Sequence, residues 1–464
     1  MLTYTFDEAR GPLYTQLYRF IKADISSGRL RAGEKLPSKR ALARHLQLGV
    51  ITVQNAYAQL AVEGYILSRE RSGYFVAELE QRLSPPPPLP SVSPPPAAKK
   101  SWLLDLQENR INTQNFPFAT WSHLMRQTLS ERSSRLLESL PHSGAPQLRT
   151  AIAGHLYRFR GMRVDPENIV VAAGTEVLYN LIVQLLGNQL IYALEDPGYS
   201  KVGLICRASG ARTAAIPLDD QGLEPSALAE SGAQVAHISP AHHFPTGIVM
   251  PISRRRALLR WAQETGGIII EDDYDSEFRF SGRPIETMQS IDTGGRVVYM
   301  NTFSKSIAPS IRISYMVLPP ELMALYQSKL GFYACTVPSF EQYTLAQFID
   351  GGYFEQHLSR MKNYYKALRG QVIETIDALP FRSRLSITEE HAGLHFLLHV
   401  QTTLPDSELK ARAARMGIHI ACLSDFTRLQ DPRFDHTLVV NYSGVTSEQL
   451  ASLRKNLQDL SKKI

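Results

Sequence analysis

The sequence predicts two folded domains, a small winged helix-turn-helix (α+β) and a larger α/β domain, joined by a proline-rich linker. Residues 1–79 have the pattern of three helices and a hairpin, a proline cluster follows them, and apolar strand-like runs alternate with helical stretches after residue 101. We therefore expect a head at 1–79, a linker at 80–100 and a body at 101–464. A chain of 464 residues is long enough for two or three domains.

The head pattern is helix, helix, helix, hairpin. Its helical segments are PLYTQLYRFIKADISSG, LPSKRALARHLQL and VITVQNAYAQLAVEG. Ser38 is an N-cap candidate for the second helix, while Gly28 and Gly64 end the first and third. The segment YILSRERSGYFV then alternates like two short strands that turn around Arg71–Gly73. Two short helices and a following ribbon predict a winged helix-turn-helix.

The head also carries most of the net positive charge. Residues 1–76 hold 11 Lys/Arg and 6 Asp/Glu, a net of +5 out of +6 for the whole chain. Such a head binds a polyanion or presents a solvated basic surface. We expect double-stranded DNA, with the third helix in the major groove. The candidates are Thr52, Gln54 and Asn55 for base edges, Tyr57 for the backbone, Ser38, Lys39, Arg40 and Arg44 for phosphates, and Arg69, Arg71 and Gly73 in the wing.

The linker is marked by the segment SPPPPLPSVSPPPAA, residues 84–98, which contains eight prolines. Proline favours extended polyproline II structure, at about 3.1 Å per residue, so this segment spans roughly 45 Å. We expect a stiff spacer between head and body.

The cysteines and the hydropathy of the sequence indicate the compartment in which the protein is expected. Cys206, Cys335 and Cys422 are odd in number and have no metal-binding spacing, which predicts a reducing compartment and no disulfide framework. No apolar run reaches the roughly 18 residues of a membrane span, and the start lacks a signal-peptide pattern. We expect a cytoplasmic protein without a membrane partner and without a metal site.

The body places its polar residues of interest after strand-like runs. NIVVAAG, LIYALED, QVAHISP, GIIIEDD and RVVYMNTFS alternate with helical stretches, which indicates parallel strands with crossover helices. Ligands bind at the carboxyl ends of such strands.

Those positions match what pyridoxal 5'-phosphate requires. Its aldehyde needs an unprotonated lysine, its phosphate needs amides, hydroxyls and a cation, and its pyridine nitrogen needs a carboxylate. The candidates are Lys305 for the aldehyde, Gly174, Thr175, Thr302, Ser304 and Arg312 for the phosphate, Asp272 for the ring nitrogen, Tyr274 for the phenolic oxygen, Tyr199 as a lid and His242 beside the ring.

Each of these residues has a simpler interpretation. A lone lysine is usually a solvated cation. The segment EDDYDSE, taken alone, is typical of an acidic surface loop or a calcium-binding loop. The adjacent His242 and His243 could be metal ligands, but a histidine pair alone is weak evidence for a metal site. The order of the motifs favours a cofactor: phosphate loop, aromatic lid, SPAHHFPTG, carboxylate, and then Lys305, 33 residues after Asp272.

Two resemblances make the prediction specific. GRLRAGEKLPSKRALARHLQL, with the hairpin that follows, resembles the GntR-type head of bacterial regulators over residues 10–77. SPAHHFPTG, IEDDYDSEFRF and NTFSKSIAPSIRISYMVLP resemble the type I aminotransferase fold, with large and small subdomains, over about 101–460. Together they resemble a MocR/GabR-type transcriptional regulator. The resemblance implies a Schiff base at Lys305, Asp272 at the ring nitrogen, and a head-to-tail homodimer.

The sequence departs from these families at informative positions. Gly49 and Val50 stand where GntR heads usually place a serine cap and an arginine, so this chain has no arginine for that contact. Val439 stands where aminotransferases place the arginine that binds the substrate carboxylate, and Lys201 where GABA-responsive relatives have arginine. Phe244 replaces the aminotransferase asparagine, as in the regulators.

These departures favour a ligand-switched regulator over an enzyme. We expect its effector to be pyridoxal phosphate itself or a small amine or amino acid, with a residual half-reaction still open. The alternatives are a working aminotransferase with an accessory DNA-binding domain, and a DNA-binding scaffold that never loads cofactor.

Overall fold

A computed structural model describes residues 2–7, 11–79, 102–107, 115–131, 134–280, 285–389 and 393–451. The chain divides into two compact units, Met1–Lys99 and Lys100–Ile464, each of which is described by itself below. The predicted linker at 80–100 lies outside the described residues.

The head has the predicted order of elements. These are α1 (Leu13–Ser26), α2 (Lys39–Leu46), α3 (Val50–Val62), β1 (Ile66–Arg69) and β2 (Gly73–Val76). The Ser38 hydroxyl accepts a hydrogen bond from the Ala41 amide at 3.2 Å, which confirms it as the N-cap of α2. Gln47 takes a left-handed conformation (φ 56°) that turns the chain from α2 into α3.

One apolar core joins the three head helices to the wing. Leu17, Leu42, Val53 and Leu60 are fully buried in it, at the helical spacing that the sequence showed. The strands β1 and β2 pair antiparallel, with Arg69 opposite Gly73, so the hairpin turns where it was predicted. The winged helix-turn-helix is therefore confirmed.

The body contains α/β and α+β parts. Its strands are β3 (Leu104–Asp105), β4 (Ile169–Ala172), β5 (Ile191–Asp196), β6 (Arg212–Asp219), β7 (Gly222–Leu223), β8 (Val235–Ile238), β9 (Ile268–Asp272), β10 (Val297–Thr302), β11 (Ser314–Val317), β12 (Leu385–Thr388), β13 (His395–Val400), β14 (Ile418–His419), β15 (Ala421–Cys422) and β16 (Thr437–Asn441). Its helices are α4 (Phe118–Glu131), α5 (Pro146–Arg160), α6 (Thr175–Leu186), α7 (Ser200–Ala208), α8 (Pro225–Glu230), α9 (Ile252–Thr265), α10 (Met288–Ile291), α11 (Phe303–Ser306), α12 (Pro320–Leu330), α13 (Ser339–Asp350), α14 (Tyr353–Asp377) and α15 (Asp406–Arg415).

The large sheet has the strand order β4-β11-β10-β9-β8-β5-β6-β7. The neighbours from β10 through β9, β8 and β5 to β6 are parallel, as the alternation predicted. The strand β11 is antiparallel to both β10 and β4, which the sequence did not predict. Since β4 therefore runs in the same direction as β10, the carboxyl ends of six strands lie at one edge of the sheet.

A second, antiparallel sheet has the order β12-β13-β16-β15. It shares a core with the 25-residue helix α14, in which Tyr365, Phe396 and Tyr442 are buried. This part is the predicted small subdomain. Over the described residues, no helix has both the length and the apolar character needed to cross a membrane.

Candidate cofactor site and nucleic-acid interface

The carboxylate predicted for the ring nitrogen lies at the end of β9, in a buried network. Oδ2 of Asp272 accepts a hydrogen bond from the Tyr179 hydroxyl at 2.6 Å, and that hydroxyl lies 2.8 Å from Nε2 of His237. Oδ1 of Asp272 is buried and has no hydrogen-bond partner among the described residues. The arrangement orients Asp272 through one oxygen and leaves the other available to a donor.

Tyr179 and His237 were not predicted as site residues from the sequence. Tyr179 lies on α6, one helical turn after Thr175, and His237 lies on β8, so both point to the same sheet edge. The signal was present: a tyrosine one turn into the helix of the phosphate loop, and a histidine inside an otherwise apolar strand. Only the strand order shows that both reach Asp272.

A second buried pair lies beside Tyr274. Nδ1 of His242 lies 3.0 Å from Oδ2 of Asp275 and 3.4 Å from the Tyr274 hydroxyl. Burial, with the charges of Asp275 and Asp272, holds the pKa of Tyr274 well above its usual value. Tyr274 is thus a hydrogen-bond donor at neutral pH, as a contact to a phenolate oxygen requires.

The same region contains a group with metal-ligand chemistry. His242, Asp275 and His395 are buried and place one donor atom each within 4.8 Å of one another. The hydrogen bond between His242 and Asp275 accounts for their proximity without an ion. His243, the other histidine of the motif, is held by Thr246 at 2.7 Å and lies 3.3 Å from Glu195.

Lys305 lies on α11, directly after β10, and has no hydrogen bond or ion pair within the described part of the chain. Burial lowers the pKa of its ammonium below the usual lysine value, although the charge of Asp275 opposes this change. Lys305 is therefore more readily deprotonated than a surface lysine, as a nucleophilic amine must be.

Of the predicted phosphate residues, Gly174, Thr175 and Arg312 lie together at the start of α6. Gly174 has φ 97°, a conformation that favours glycine, and it lies against the guanidinium of Arg312. Thr175 is the first residue of α6, whose free backbone amides attract anions. Oγ of Ser304 is buried without a partner among the described residues.

Thr302 caps the short helix that carries Lys305. Its hydroxyl accepts hydrogen bonds from the Ser304 amide at 3.1 Å and from the Ser314 hydroxyl at 2.8 Å. Because its oxygen only accepts in both contacts, its O–H group can still donate, and its contact with a phosphate stays a prediction.

A carboxylate, unpredicted from the sequence, holds the cations of the phosphate region. Oε2 of Glu176 lies 2.6 Å from Nη2 of Arg312, and Oε1 lies 2.9 Å from Nζ of Lys201. Partial burial raises the pKa of Glu176, but hydrogen bonds from Lys201 and Arg312 outweigh it and bring the pKa to about 2. Glu176 is therefore an anion where the phosphate is expected.

The predicted lid residue, Tyr199, immediately precedes α7. Tyr199 is 44 % exposed, and its ring meets the ring of Phe244 edge-on with the ring centres 6.2 Å apart. A half-exposed aromatic ring at the sheet edge is free to cover a planar ligand.

Val439, which the sequence predicts in place of the carboxylate-binding arginine, lies in an apolar and packed environment. Val439 on β16 is buried with Leu397 and Leu423, and Phe244 packs against this cluster. An aliphatic side chain in such a cluster offers no donor to a substrate carboxylate.

Taken together, the residues fit pyridoxal phosphate. Two of the buried polar atoms that have no partner among the described residues suit its groups: Oδ1 of Asp272 suits the ring nitrogen, and Oγ of Ser304 suits the phosphate. When bound, the cofactor supplies an electron sink for amine chemistry. Asp272 would hold the ring nitrogen, Ser304 and Arg312 the phosphate, and Lys305 the aldehyde carbon.

The head presents a basic face around its third helix. Gln54 and Asn55 are exposed on α3, while Thr52 is half-buried. The cations Lys39, Arg40, Arg44, Arg69 and Arg71 form no ion pair with any carboxylate of the described residues. The carboxylates of Asp24 and Glu63 are instead paired with Arg29 and Lys22.

Tyr57 lies in the core and not in this face. Its side chain is fully buried, and its hydroxyl donates a hydrogen bond to the Pro37 carbonyl at 3.0 Å. The predicted backbone contact from Tyr57 is therefore wrong. The spacing of Val53, Tyr57 and Leu60 already indicated a core position.

Two family models match this chain. "Aminotransferase class I and II" matches residues 103–457, and "Bacterial regulatory proteins, gntR family" matches residues 13–76. The head and the body thus each match one of the predicted families.

Similar proteins share both domains. An uncharacterized HTH-type transcriptional regulator, YdeL, of Bacillus subtilis is 36% identical, over 96% of each chain. The probable rhizopine catabolism regulatory protein MocR of Rhizobium meliloti is 31% identical over 90% of this chain and 87% of its own. The HTH-type pyridoxine biosynthesis transcriptional regulator PdxR of Corynebacterium glutamicum is 28% identical over 89% and 88%.

Among solved structures, the kynurenine aminotransferase of Pyrococcus horikoshii matches with a TM-score of 0.68 and 24% identity. The match covers 78% of this chain and 92% of that one. The likeness shows a type I aminotransferase fold in the body.

Proposed function

This chain belongs to the MocR/GabR-type family of HTH transcriptional regulators, and from that membership we propose that it is a DNA-binding regulator switched by pyridoxal 5'-phosphate. In this proposal the cofactor is held covalently through Lys305, and its occupancy changes how tightly the head binds operator DNA. The cofactor can shift the protein between two conformational states only if it binds one of them more tightly than the other.

One observation carries the proposal: the body has residues suited to hold the cofactor, and a packed apolar cluster at the position predicted for the arginine that binds a substrate carboxylate. Asp272, Lys305 and Arg312 supply the first, and Val439 belongs to the second. A body that holds the cofactor but lacks the anchor is suited to sensing more than to turnover.

The similar protein PdxR is named as a regulator of pyridoxine biosynthesis, which supports a form of vitamin B6 as the effector in this proposal. Lys201 leaves room for a second effector, because an ammonium near the cofactor attracts an anionic group as a point charge. A small amine or amino acid is therefore the second effector class.

The proposed regulator acts as a homodimer in which each head contacts the partner's body. The expected length of the proline-rich linker is sufficient for that exchange.

One observation is shared with the alternative, an aminotransferase with an accessory DNA-binding domain. Burial lowers the pKa of Lys305, and a deprotonated lysine is what transamination uses. The missing carboxylate anchor ranks this alternative second.

The deciding experiment titrates the full chain onto labelled DNA from upstream of its own gene, with and without saturating pyridoxal phosphate, by fluorescence anisotropy. A shift of affinity or footprint with the phosphate ester, and none with pyridoxal, supports the switch. Unchanged DNA binding together with steady turnover of an amino acid would support the enzyme instead.

We expect Glu176→Gln to tighten cofactor binding. In the wild type the phosphate must displace the Glu176 carboxylate from Arg312 and Lys201. Removing that charge should lower the Kd on the order of tenfold, the weight of one charge-assisted hydrogen bond of about 1.5 kcal/mol. The measurement is a titration followed by cofactor absorbance.

The matched control is Glu321→Gln, because Glu321 also lies in the first turn of a helix, α12, but faces solvent. It should leave the Kd unchanged. Weaker cofactor binding in Glu176→Gln would show that Glu176 orients the two cations instead of competing with the phosphate.

A further inference from the structure

The helix expected in the major groove, α3, contains no charged residue from Val50 to Val62. Arginine and lysine are the side chains that most often read guanine, through bidentate contacts to its major-groove edge. This helix therefore has no side chain for that contact. Base recognition by α3 must use its amides, its hydroxyl and its apolar groups.

The apolar groups of its first turn face solvent. Ile51 is 74 % exposed and Val50 is 44 % exposed, whereas Val53 in the same turn is fully buried in the head core. Most of the Ile51 side chain and nearly half of Val50 are therefore not used in the head's own packing. A partner surface with apolar groups of its own would cover them.

The neighbouring polar residues continue the same face. Positions 51, 55, 58 and 62 recur at helical spacing, so Asn55 lies one turn beyond Ile51, with Gln54 beside it. Asparagine and glutamine form bidentate hydrogen bonds to adenine, and aliphatic groups contact the thymine methyl. Both features occur on one A·T base pair, at the same edge of the major groove.

Cations on both sides of this face suit a duplex. Nζ of Lys39 on α2 lies 5.7 Å from the centre of the Tyr74 ring, and Cζ of Arg69 lies 4.7 Å from the centre of the Phe75 ring. These aromatic contacts connect α2 and the wing through β2, so basic groups stand on two of the elements that border α3. Phosphates on the two sides of a groove would meet them.

We infer that Val50 and Ile51 read thymine methyl groups, and that Gln54 and Asn55 read the adenines of the same or adjacent base pairs. The inference rests on the proposed function, because it requires that the head bind operator DNA. It predicts an operator half-site in which A·T pairs occupy the positions under the first two turns of α3.

The test replaces thymine by deoxyuracil, which removes only the methyl group. The full chain first selects its site from a random duplex library, and the selected duplex is then made with thymine or with deoxyuracil at each A·T pair. We expect wild-type affinity to fall about fourfold for each contacted methyl, the effect of burying one methyl group.

The matched variants are Ile51→Ala and Val62→Ala. Val62 lies on the same face of α3 and is 84 % exposed, but it stands 11 residues, or about 16 Å, further along the helix. Ile51→Ala should lose the preference for thymine, and Val62→Ala should keep it. Circular dichroism checks that both variants are folded.

The outcomes separate this inference from the proposed function. Selection of a specific site that is bound equally well with thymine and deoxyuracil overturns the inference and leaves the regulator standing. An unchanged thymine preference in Ile51→Ala overturns it as well. If the library yields no specific site, DNA-directed regulation fails and the inference fails with it.

Discussion

Substituting Lys305 by alanine should abolish covalent loading of pyridoxal phosphate. The aldehyde then has no amine at the end of β10, although Asp272, Ser304 and Arg312 still offer their contacts to the ring nitrogen and phosphate. We expect the visible absorption of the bound cofactor to disappear, and the cofactor to separate from the protein on gel filtration. The cofactor-dependent change in DNA affinity should disappear with it.

The control is Lys329→Ala, since the ammonium of Lys329 donates to the Leu185 carbonyl and not to the candidate site. It should load like the wild type. Retention of the cofactor band in Lys305→Ala would assign the attachment to another lysine. A retained DNA response without attachment would show that non-covalent occupancy is enough for switching.

The pH dependence of loading follows from the same residue. Only the unprotonated amine attacks an aldehyde, so the rate should rise with pH as the Lys305 ammonium loses its proton. Because burial lowers that pKa, the midpoint should lie below the ordinary lysine value of 10.5. Stopped-flow absorbance over a pH series measures it, and a midpoint at the ordinary value would mean that Lys305 is solvated.

The parts of this site that the sequence predicted were those that follow a strand. Asp272 and Lys305 stand at the carboxyl ends of apolar runs, where a parallel sheet places its ligands, so the local pattern was sufficient. Gly174 likewise stands between a strand and a helix. These positions depend on order along the chain, which periodicity reveals.

The partners of those residues could not be predicted in this way. Tyr179 reaches Asp272 across 93 positions, and Glu176 reaches Arg312 across 136. Such contacts depend on the strand order, and the antiparallel insertion of β11 between β4 and β10 has no local signal. Tyr57 is the opposite case, because its helical spacing was informative and its polar hydroxyl misled the prediction.

Removing the buried carboxylate of Asp273 should destabilise the body strongly. Oδ2 of Asp273 accepts hydrogen bonds from Arg160 and from the Tyr299 hydroxyl at 2.7 Å each, and from the Ser276 hydroxyl at 2.9 Å. The side chains of Arg160 and Asp273 are only 2 % and 1 % exposed. Asp273→Ala leaves a guanidinium in the interior that cannot release its proton, at a cost of about 3–5 kcal/mol.

Urea unfolding followed by tryptophan fluorescence measures this loss in the body alone, because Trp102, Trp121 and Trp261 are the chain's three tryptophans and none lies in the head. Asp377→Ala is the control. It removes an exposed ion pair with Arg382, which should contribute no more than about 1 kcal/mol.

The large loss of stability expected for Asp273→Ala comes from the unpaired charge of the Arg160 guanidinium. A double variant isolates this contribution. Replacing both partners, Arg160→Met with Asp273→Leu, removes the two buried charges together and should recover much of the stability lost in Asp273→Ala. The Tyr299 and Ser276 hydroxyls would still lose their acceptor, so recovery should be incomplete. A double variant as unstable as Asp273→Ala would show that the hydroxyl network, and not the ion pair, stabilises this region of the body.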